Sequence, residues 1–448
     1  MASMSTAPDN KANPQTYCIV TYGCQMNDND SEIMAGILEK QGLTRIQDEQ
    51  EADVVLVNTC VVREGAEDRA VGRVQSLSNV KKQRPGMVIG VTGCMAQKEG
   101  EQLIKKLPHA DLVVGTRDLF KIDSLINQAR GQSTPVISTQ DVDKPIFLNE
   151  QPVKRNHGQK AFTTIMYGCN NFCSFCIVPK TRGREVSRDP DGIVKEISQL
   201  VEQGYSEVML LGQNVNSYRY SGVDFADLLK LINDINGLKR VRYMTSHPKD
   251  CSDKLIETVA SLEKICTNFH LPVQAGSNRV LRRMKRFYTR DEYLELLSKV
   301  RSTIPNATIS TDVIVGFPDE TDEDFEQTYQ LLEESRWDSA YIFMYSPREG
   351  TKSAQWEDSI PMEVKKHRVN RCIARQEIIS AEINKTYEGQ TARVLVESIS
   401  KKRNTELMGR TMGDKCVIFA GDPSLIGQEL DVSITDSHAH SLFGRQLV

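Results

Sequence analysis

The sequence predicts an α/β chain in three parts: an N-terminal open parallel α/β sheet domain, a central partial (β/α)6 barrel and a small C-terminal antiparallel β-barrel. Three observations predict it. Between Thr16 and Ala129, apolar runs of strand length alternate with helical periodicity. Six further strand–helix repeats follow from Ala161 to Ser346, where a full barrel would need eight. Beyond Thr391 the pattern changes to short β-like runs separated by glycines and charges. The expected boundaries are a loose tail at 1–14, a first domain at 15–130, a polar, turn-rich linker at 131–160, a central domain at 161–384 and a last module at 385–448.

The bulk composition narrows the class. The chain has 448 residues, 39% hydrophobic and 26% charged, with a net charge of -4. A globally basic, histone-like binder is excluded, while a local basic patch for RNA is not. No run approaches the roughly 18 apolar residues of a membrane span. The stretch MASMSTAPDNKANPQT carries no apolar signal core. No membrane partner and a cytoplasmic location are expected.

In the first domain, strands are expected at residues 16–22, at ADVVLVNTC, at MVIGVTGC and at DLVVG (111–115). The second of these is a continuous apolar run, as a parallel strand buried on both faces requires. Helices are expected at Asn29–Lys40, Glu64–Lys82, Lys98–Lys106 and Leu119–Ala129. Of 11 cysteines, Cys18, Cys251, Cys266, Cys372 and Cys416 read as inert thiols. Cys24, Cys60 and Cys94 differ: each stands just past the C-terminal end of a strand. In open α/β sheets those ends meet at one crevice where ligands bind. The three are either unrelated buried thiols or a three-thiolate site for zinc or an iron–sulfur cluster.

In the central part, strands are expected at FTTIMY (162–167), EVMLLG (207–212), RVRYMT (240–245), TNFHLPV (267–273), ATISTDVIVG (307–316) and DSAYIFMYS (338–346). Helices fall near 190–203, 224–234, 253–261, 289–302 and 321–334. Polar motifs sit at the strand ends: GCNNFCSFC (168–176), GQNVNSY (212–218), TSHP (245–248), HLPVQAGS (270–277), Asp312 with GFP (316–318), and YSPREGT (345–351). That is where a barrel carries its active site. The first motif spaces Cys169, Cys173 and Cys176 as C-x3-C-x2-C. Three thiolates can hold three irons of a four-iron cluster and leave the fourth iron open. Zinc with three cysteines and a histidine competes, but the next histidine after Cys176 is His247. Two basic stretches flank these motifs. NRVLRRMKRFYTR (278–290) contains Arg282, Arg283, Lys285 and Arg286, and PKTRGR (179–184) contains Arg182 and Arg184. They read as solvated faces or as contacts for a phosphate-bearing substrate.

The C-terminal stretch opens with a charged helix ending near Lys385 and continues as the small barrel. Its charge is mixed, so a packing module and an RNA binder are both open.

Along nearly its whole length the chain resembles the radical S-adenosylmethionine methylthiotransferases. The resemblance rests on YGCQMN, NTCVVRE and GCMAQ around the first three cysteines and on GCNNFCSFC around the second three. YEGQTARVLVES, GRT and IGQELDVSI resemble the family's C-terminal TRAM domain. It implies a radical cofactor barrel and two [4Fe-4S] clusters, with all six cysteines as metal ligands and catalytic residues. One cluster would bind and cleave S-adenosyl-L-methionine. The other would handle sulfur, and two cofactor molecules would be used per turnover. Gln213, Asn214, His247, Gln274 and Asp312 are then the expected cofactor contacts, and Arg182, Arg184, Arg282, Arg283, Lys285 and Arg286 the expected RNA contacts. The stretches LLGQNVNSY and FHLPVQAGSNRVLRRM resemble the subgroup that methylthiolates C2 of N6-isopentenyladenosine at position 37 of tRNA. An aspartate of ribosomal protein S12, or threonylcarbamoyl-adenosine in tRNA, is the alternative substrate. The implied partners are an anticodon stem-loop, a low-potential electron donor such as flavodoxin or ferredoxin, and a sulfur source. Tyr167, where many relatives have glutamate, and Ala275, where serine is usual, depart from the pattern and bear on fine substrate contacts alone.

Overall fold

The computed structural model describes residues 15–61, 65–140, 153–155 and 158–447. The expected tail and much of the expected linker lie outside the described residues. The chain divides into two compact units. One holds the residues up to 156 together with Lys180–Gly183, and the other holds 157–179 and 184–448.

In the first unit the order is β1 (Thr16–Tyr22), α1 (Gln25–Lys40), β2 (Thr44–Arg45), β3 (Val54–Thr59), α2 (Ala66–Ser76), α3 (Ser78–Gln83), β4 (Val88–Gly93), α4 (Cys94–Glu99), α5 (Glu101–Lys106), β5 (Leu112–Val114), α6 (Ile122–Gly131) and β6 (Val136–Ser138). The strands form one sheet in the order β2-β1-β3-β4-β5-β6, and every neighbouring pair is parallel. Every residue of β3 and β4 is buried, because helices cover both faces of such a sheet. Tyr17, Met34, Leu38, Val54, Leu56, Leu112 and Ile122 are among its core residues.

The structure differs from expectation at four places. The first helix begins at Gln25 rather than Asn29, since Cys24 caps it and Asn27 N donates back to Cys24 O at 2.8 Å. The long helix expected over 64–82 is split at Leu77, and the next is split at Gly100, whose φ of +51° suits glycine. The sheet also continues past residue 130: β6 pairs with β5 inside the segment read as linker.

The second unit opens with β7 (Lys160–Thr164), β8 (Met166–Tyr167), α7 (Val178–Thr181), β9 (Val186–Ser187) and α8 (Pro190–Glu202). Next come β10 (Glu207–Leu211), β11 (Arg219–Tyr220), β12 (Val223–Asp224), α9 (Phe225–Asn233), β13 (Arg240–Tyr243), α10 (Asp253–Ser261) and β14 (Asn268–His270). Then follow α11 (Asn278–Met284), α12 (Arg290–Thr303), β15 (Thr308–Val315), α13 (Asp322–Ser335), β16 (Ser339–Met344) and α14 (Met362–Lys385). Parallel pairing links β7-β10-β13 and β14-β15-β16, and a parallel bridge from Val241 to Ile265 joins the two sets. Six strands thus run in sequence order, and among the described residues β16 does not pair back to β7. This is the partial barrel expected. The shell is apolar: Ile193, Leu228, Ile256, Leu297, Phe325, Leu332 and Trp337 all lie in one cluster.

A closed barrel ends the chain: β17 (Thr391–Ile399), β18 (Glu406–Arg410), β19 (Cys416–Ala420), β20 (Glu429–His438) and β21 (Ser441–Gln446), in the order β17-β18-β19-β21-β20. Its pairs are antiparallel except β19 with β21, which is parallel. Val394, Val396, Leu407, Phe419, Val432 and Leu442 fill it.

Two fully buried arginines on β13 join this barrel to the strands above. Arg240 Nε meets Glu429 Oε1 at 2.7 Å. Arg242 Nε donates to Glu207 Oε1 at 2.9 Å, its Nη2 donates to Thr411 O at 2.9 Å, and its Nη1 pairs with Asp414 at 3.1 Å. Thr308, the first residue of β15, donates to Gly413 O. Arg240, Glu207 and Thr308 are the first residues of β13, β10 and β15, so the barrel meets the N-terminal ends of these strands. Among the described residues no helix is long and apolar enough to cross a membrane.

Candidate functional site

The first three cysteines are brought together by strand register. Tyr22 pairs with Thr59, and Thr59 pairs with Gly93. Cys24 follows the first of these by two residues, and Cys60 and Cys94 follow the others directly. Adjacent strands lie about 4.8 Å apart, so three thiols leave neighbouring strand ends at one level. Cys60 N also donates to Tyr22 O at 2.9 Å. Close approach fixes the surroundings. Gly93 has φ +91°, and a Cβ there would stand 2.3 Å from Asn58 Oδ1. Asn58 Nδ2 donates to Asn27 O at 2.8 Å, and Asn27 Oδ1 receives Cys24 N at 3.2 Å.

The thiols sense one another. A hydrogen bond with Cys60, then burial, pushes the Cys24 thiol well up. Burial raises Cys94 as well, while the nearby Arg182 guanidinium opposes it in both cases. Arg182 itself is 5% exposed. Its Nη2 donates to Asp30 Oδ2 at 2.7 Å, and its charge acts on the neighbouring Cys94 and Cys24 thiols. Thr116 Oγ1 donates to Thr181 O at 2.6 Å and Arg117 Nη2 to Arg182 O at 2.7 Å, which seats Lys180–Gly183 in this unit.

The second trio lies in the loop after β8. Gly168 N donates to the Gln213 side chain, Ser174 N to Met284 O at 3.0 Å, and Ser174 Oγ to Arg283 O at 2.8 Å. Arg286 is buried and reaches into the loop. Its Nη1 donates to Cys173 Sγ at 3.3 Å, Nη2 to Pro272 O at 2.6 Å and Nε to Tyr288 OH at 2.9 Å. Burial, then the neighbouring Cys173, pushes the Cys176 thiol up to about 12, and burial pushes Cys169 to about 11. Buried, crowded thiols are held protonated. A metal ion replaces those protons when it binds.

Among the described residues no group of three or more His, Cys, Asp or Glu is set in metal-holding geometry. The donor chemistry nonetheless fits an iron–sulfur cluster at each trio. The ligands are three soft sulfurs, buried or half-buried, with a cationic guanidinium beside the first set and one bonded to Cys173 in the second.

Of the expected cofactor contacts, Gln213, Asn214, His247 and Gln274 follow strands of the second unit, while Asp312 lies within β15, its carbonyl accepting from Gln274 N at 2.9 Å. His247 and Asn216 clasp each other: Asn216 Nδ2 donates to His247 O and His247 N to Asn216 Oδ1, both at 2.9 Å. His247 Nδ1 accepts from Lys249 N, which leaves the ring proton on Nε2. Burial, then Arg286 and Lys249, holds this imidazole neutral at about 2. Its Nε2 is buried and has no protein partner among the described residues, and the same holds for Asn214 Oδ1. Asn214 Nδ2 donates to Asp250 at 2.7 Å. Gln274 takes φ +76° where it bridges to Val313. Asp312 lies 3.5 Å from His270 Nε2. Phe172, Thr245 and Gln274, each in a strand-end motif, adopt left-handed backbone, the kind of strain that clusters at functional sites.

The expected RNA contacts divide. Arg184 is exposed and stacks over Phe172 at 4.3 Å. Arg282 is exposed, Arg283 pairs with Asp319 at 2.5 Å, and Lys285 is half-buried. Arg182 and Arg286 are corrections to the expectation. Both guanidinium groups are buried and bonded to protein acceptors, so neither is exposed to a phosphate. Asp30, Asn216 and Ser174 were not singled out in the sequence. The signal for Asp30 was a carboxylate on the buried face of α1, which demands a cationic partner.

Three family models match the chain: Uncharacterized protein family UPF0004 over residues 16–115, the Radical SAM superfamily over 163–332 and the TRAM domain over 385–447. The tRNA-2-methylthio-N(6)-dimethylallyladenosine synthase of Clostridium botulinum strain Hall is 47% identical over 436 residues, 96% of this chain and 97% of the relative. The synthase of Thermoanaerobacter pseudethanolicus is 47% identical over 443 residues, 98% of this chain and 94% of the relative. Among solved structures, the radical S-adenosylmethionine methyltransferase TsrM from Kitasatospora setae superposes with a TM-score of 0.54 at 13% identity, covering 76% of this chain and 74% of that one. The cobalamin-dependent radical enzyme OxsB gives 0.51 at 10% identity, over 82% and 56%. These two bear on the fold alone.

Proposed function

The chain belongs to the family of tRNA-2-methylthio-N(6)-dimethylallyladenosine synthases, and on that premise we propose that it replaces the hydrogen at C2 of N6-isopentenyladenosine, at position 37 of tRNA, with a methylthio group. The observation that carries the reading is the register Tyr22–Thr59–Gly93, which delivers Cys24, Cys60 and Cys94 to one crevice of a chain that also holds a C-x3-C-x2-C loop at a barrel mouth. In this reading Cys169, Cys173 and Cys176 hold one [4Fe-4S] cluster and Cys24, Cys60 and Cys94 a second. Bound, the first with S-adenosyl-L-methionine supplies reductive cleavage and hydrogen abstraction, and the second supplies sulfur.

The chain's own side chains bind and orient. Arg286 steadies Cys173 through a charge-assisted bond and is itself fixed by Pro272 O and Tyr288. Gln213 holds the start of the loop at Gly168. The neutral His247 offers a buried Nε2–H donor and Asn214 a buried acceptor, the kind of unpartnered polar pair that a bound cofactor satisfies. Arg184 and Arg282 present cations to the RNA backbone. An adenine in an anticodon loop lies outside a duplex, so splaying it to expose C2 costs little. A low-potential electron donor and a sulfur source complete the turnover.

The test uses the full chain, reconstituted anaerobically with iron and sulfide and supplied with dithionite and S-adenosyl-L-methionine. A methylthio product is expected on an isopentenylated anticodon stem-loop. It is not expected on the same loop without the isopentenyl group. Product on ribosomal protein S12 with none on RNA would overturn the reading.

A further inference from the structure

We propose that Arg182 is a positioning residue of the Cys24–Cys60–Cys94 site, setting the charge and hence the reduction potential of the cluster held there. The inference rests on the reading of these cysteines as cluster ligands. It starts from the buried guanidinium: 5% exposed, seated in the first unit and bonded at 2.7 Å to Asp30 Oδ2 on α1, the helix that begins just after Cys24. Burying an isolated cation is strongly unfavourable, so such a group persists where anions answer it. Asp30 answers it once. The Cys24 and Cys94 thiols are near enough for its charge to act on them.

Arg182 is also held from behind. Thr116 and Arg117 bond the carbonyls of Thr181 and Arg182, and Asp30 sits on α1, the helix that Cys24 caps. The guanidinium stays cationic at every working pH, so its contribution is a fixed charge. A cluster held by three thiolates becomes more negative when it gains an electron. A fixed cation beside its sulfurs favours that reduced form, as does a hydrogen bond to a ligand sulfur. Asp30 acts in the opposite sense while holding the arginine in place.

The test isolates this cluster in the full-length chain carrying Cys169→Ala, Cys173→Ala and Cys176→Ala, reconstituted with iron and sulfide. Iron content and a redox titration followed by electron paramagnetic resonance are the readouts. Arg182→Gln is expected to move the midpoint potential to more negative values, Arg182→Lys to return it toward the parent, and Asp30→Asn to move it to more positive values. An Arg182→Gln protein with full iron and the parent potential overturns the proposal and leaves the cluster reading standing. Equal loss of iron in Arg182→Lys and Arg182→Gln also overturns it, because it shows that shape rather than charge is what matters. A parent that takes up no iron overturns the cluster reading and this inference with it.

Discussion

Single side chains decide how well the site's loops are held. Asp324 is a case. It is 4% exposed and accepts from Ser277 Oγ at 2.5 Å, Arg279 Nε at 3.0 Å and Thr321 N at 3.0 Å. Burial would raise its carboxyl, but the bonds from Arg279, Ser277 and Thr321 outweigh that and hold it at about 2. Ser277 in turn caps α11, whose end anchors the cysteine loop. An unfolded aspartate titrates near 3.9. The carboxylate's stabilisation is therefore complete above about pH 4 and lost as pH falls toward 2. Asp324→Asn is expected to cost about 1–3 kcal/mol at pH 7, measured by urea unfolding. The difference from the parent should shrink across pH 4 to 2, and a constant difference there would refute the account.

At the scale of elements, β13 holds the second unit together. Arg242 is 1% exposed and Glu207 on β10 is fully buried. Removing one partner of such a pair typically costs about 3–5 kcal/mol, because the other charge stays buried. Arg242→Met is expected to cost that much by urea unfolding, and Arg242→Met with Glu207→Leu distinctly less. The strands themselves were legible in the sequence, since a short β-branched apolar run such as the VVLV that opens β3 suits a parallel strand buried on both faces. So was the placement of each cysteine trio at strand ends. The fate of charges was not legible: Arg182 and Arg184 are two residues apart, yet one is buried in an ion pair and the other is exposed. Local pattern gives the type of a charge, while its partner arrives from a distant element such as α1. The edge strands β2 and β6 were missed for a related reason, being two and three residues long with no period to read.

The whole molecule places its two cysteine trios in different compact units. Each should therefore assemble its cluster without the other. With Cys24, Cys60 and Cys94 changed to alanine, about four irons are expected to remain per chain. Cleavage of S-adenosyl-L-methionine should continue and methylthio product should vanish. Iron analysis and product assay check this, and loss of all iron would contradict independent sites. A last consequence follows from where the C-terminal barrel is fastened. Arg240, Arg242 and Thr308 grip it beneath the strands, while the cysteine loop crowns their other ends. The eight residues of β15 alone extend roughly 25 Å. An RNA touching both ends must be at least that tall, a requirement that stem length would report. Trimming the stem of an isopentenylated stem-loop, base pair by base pair, should raise KM abruptly at one length while a loop-only substrate keeps a measurable kcat.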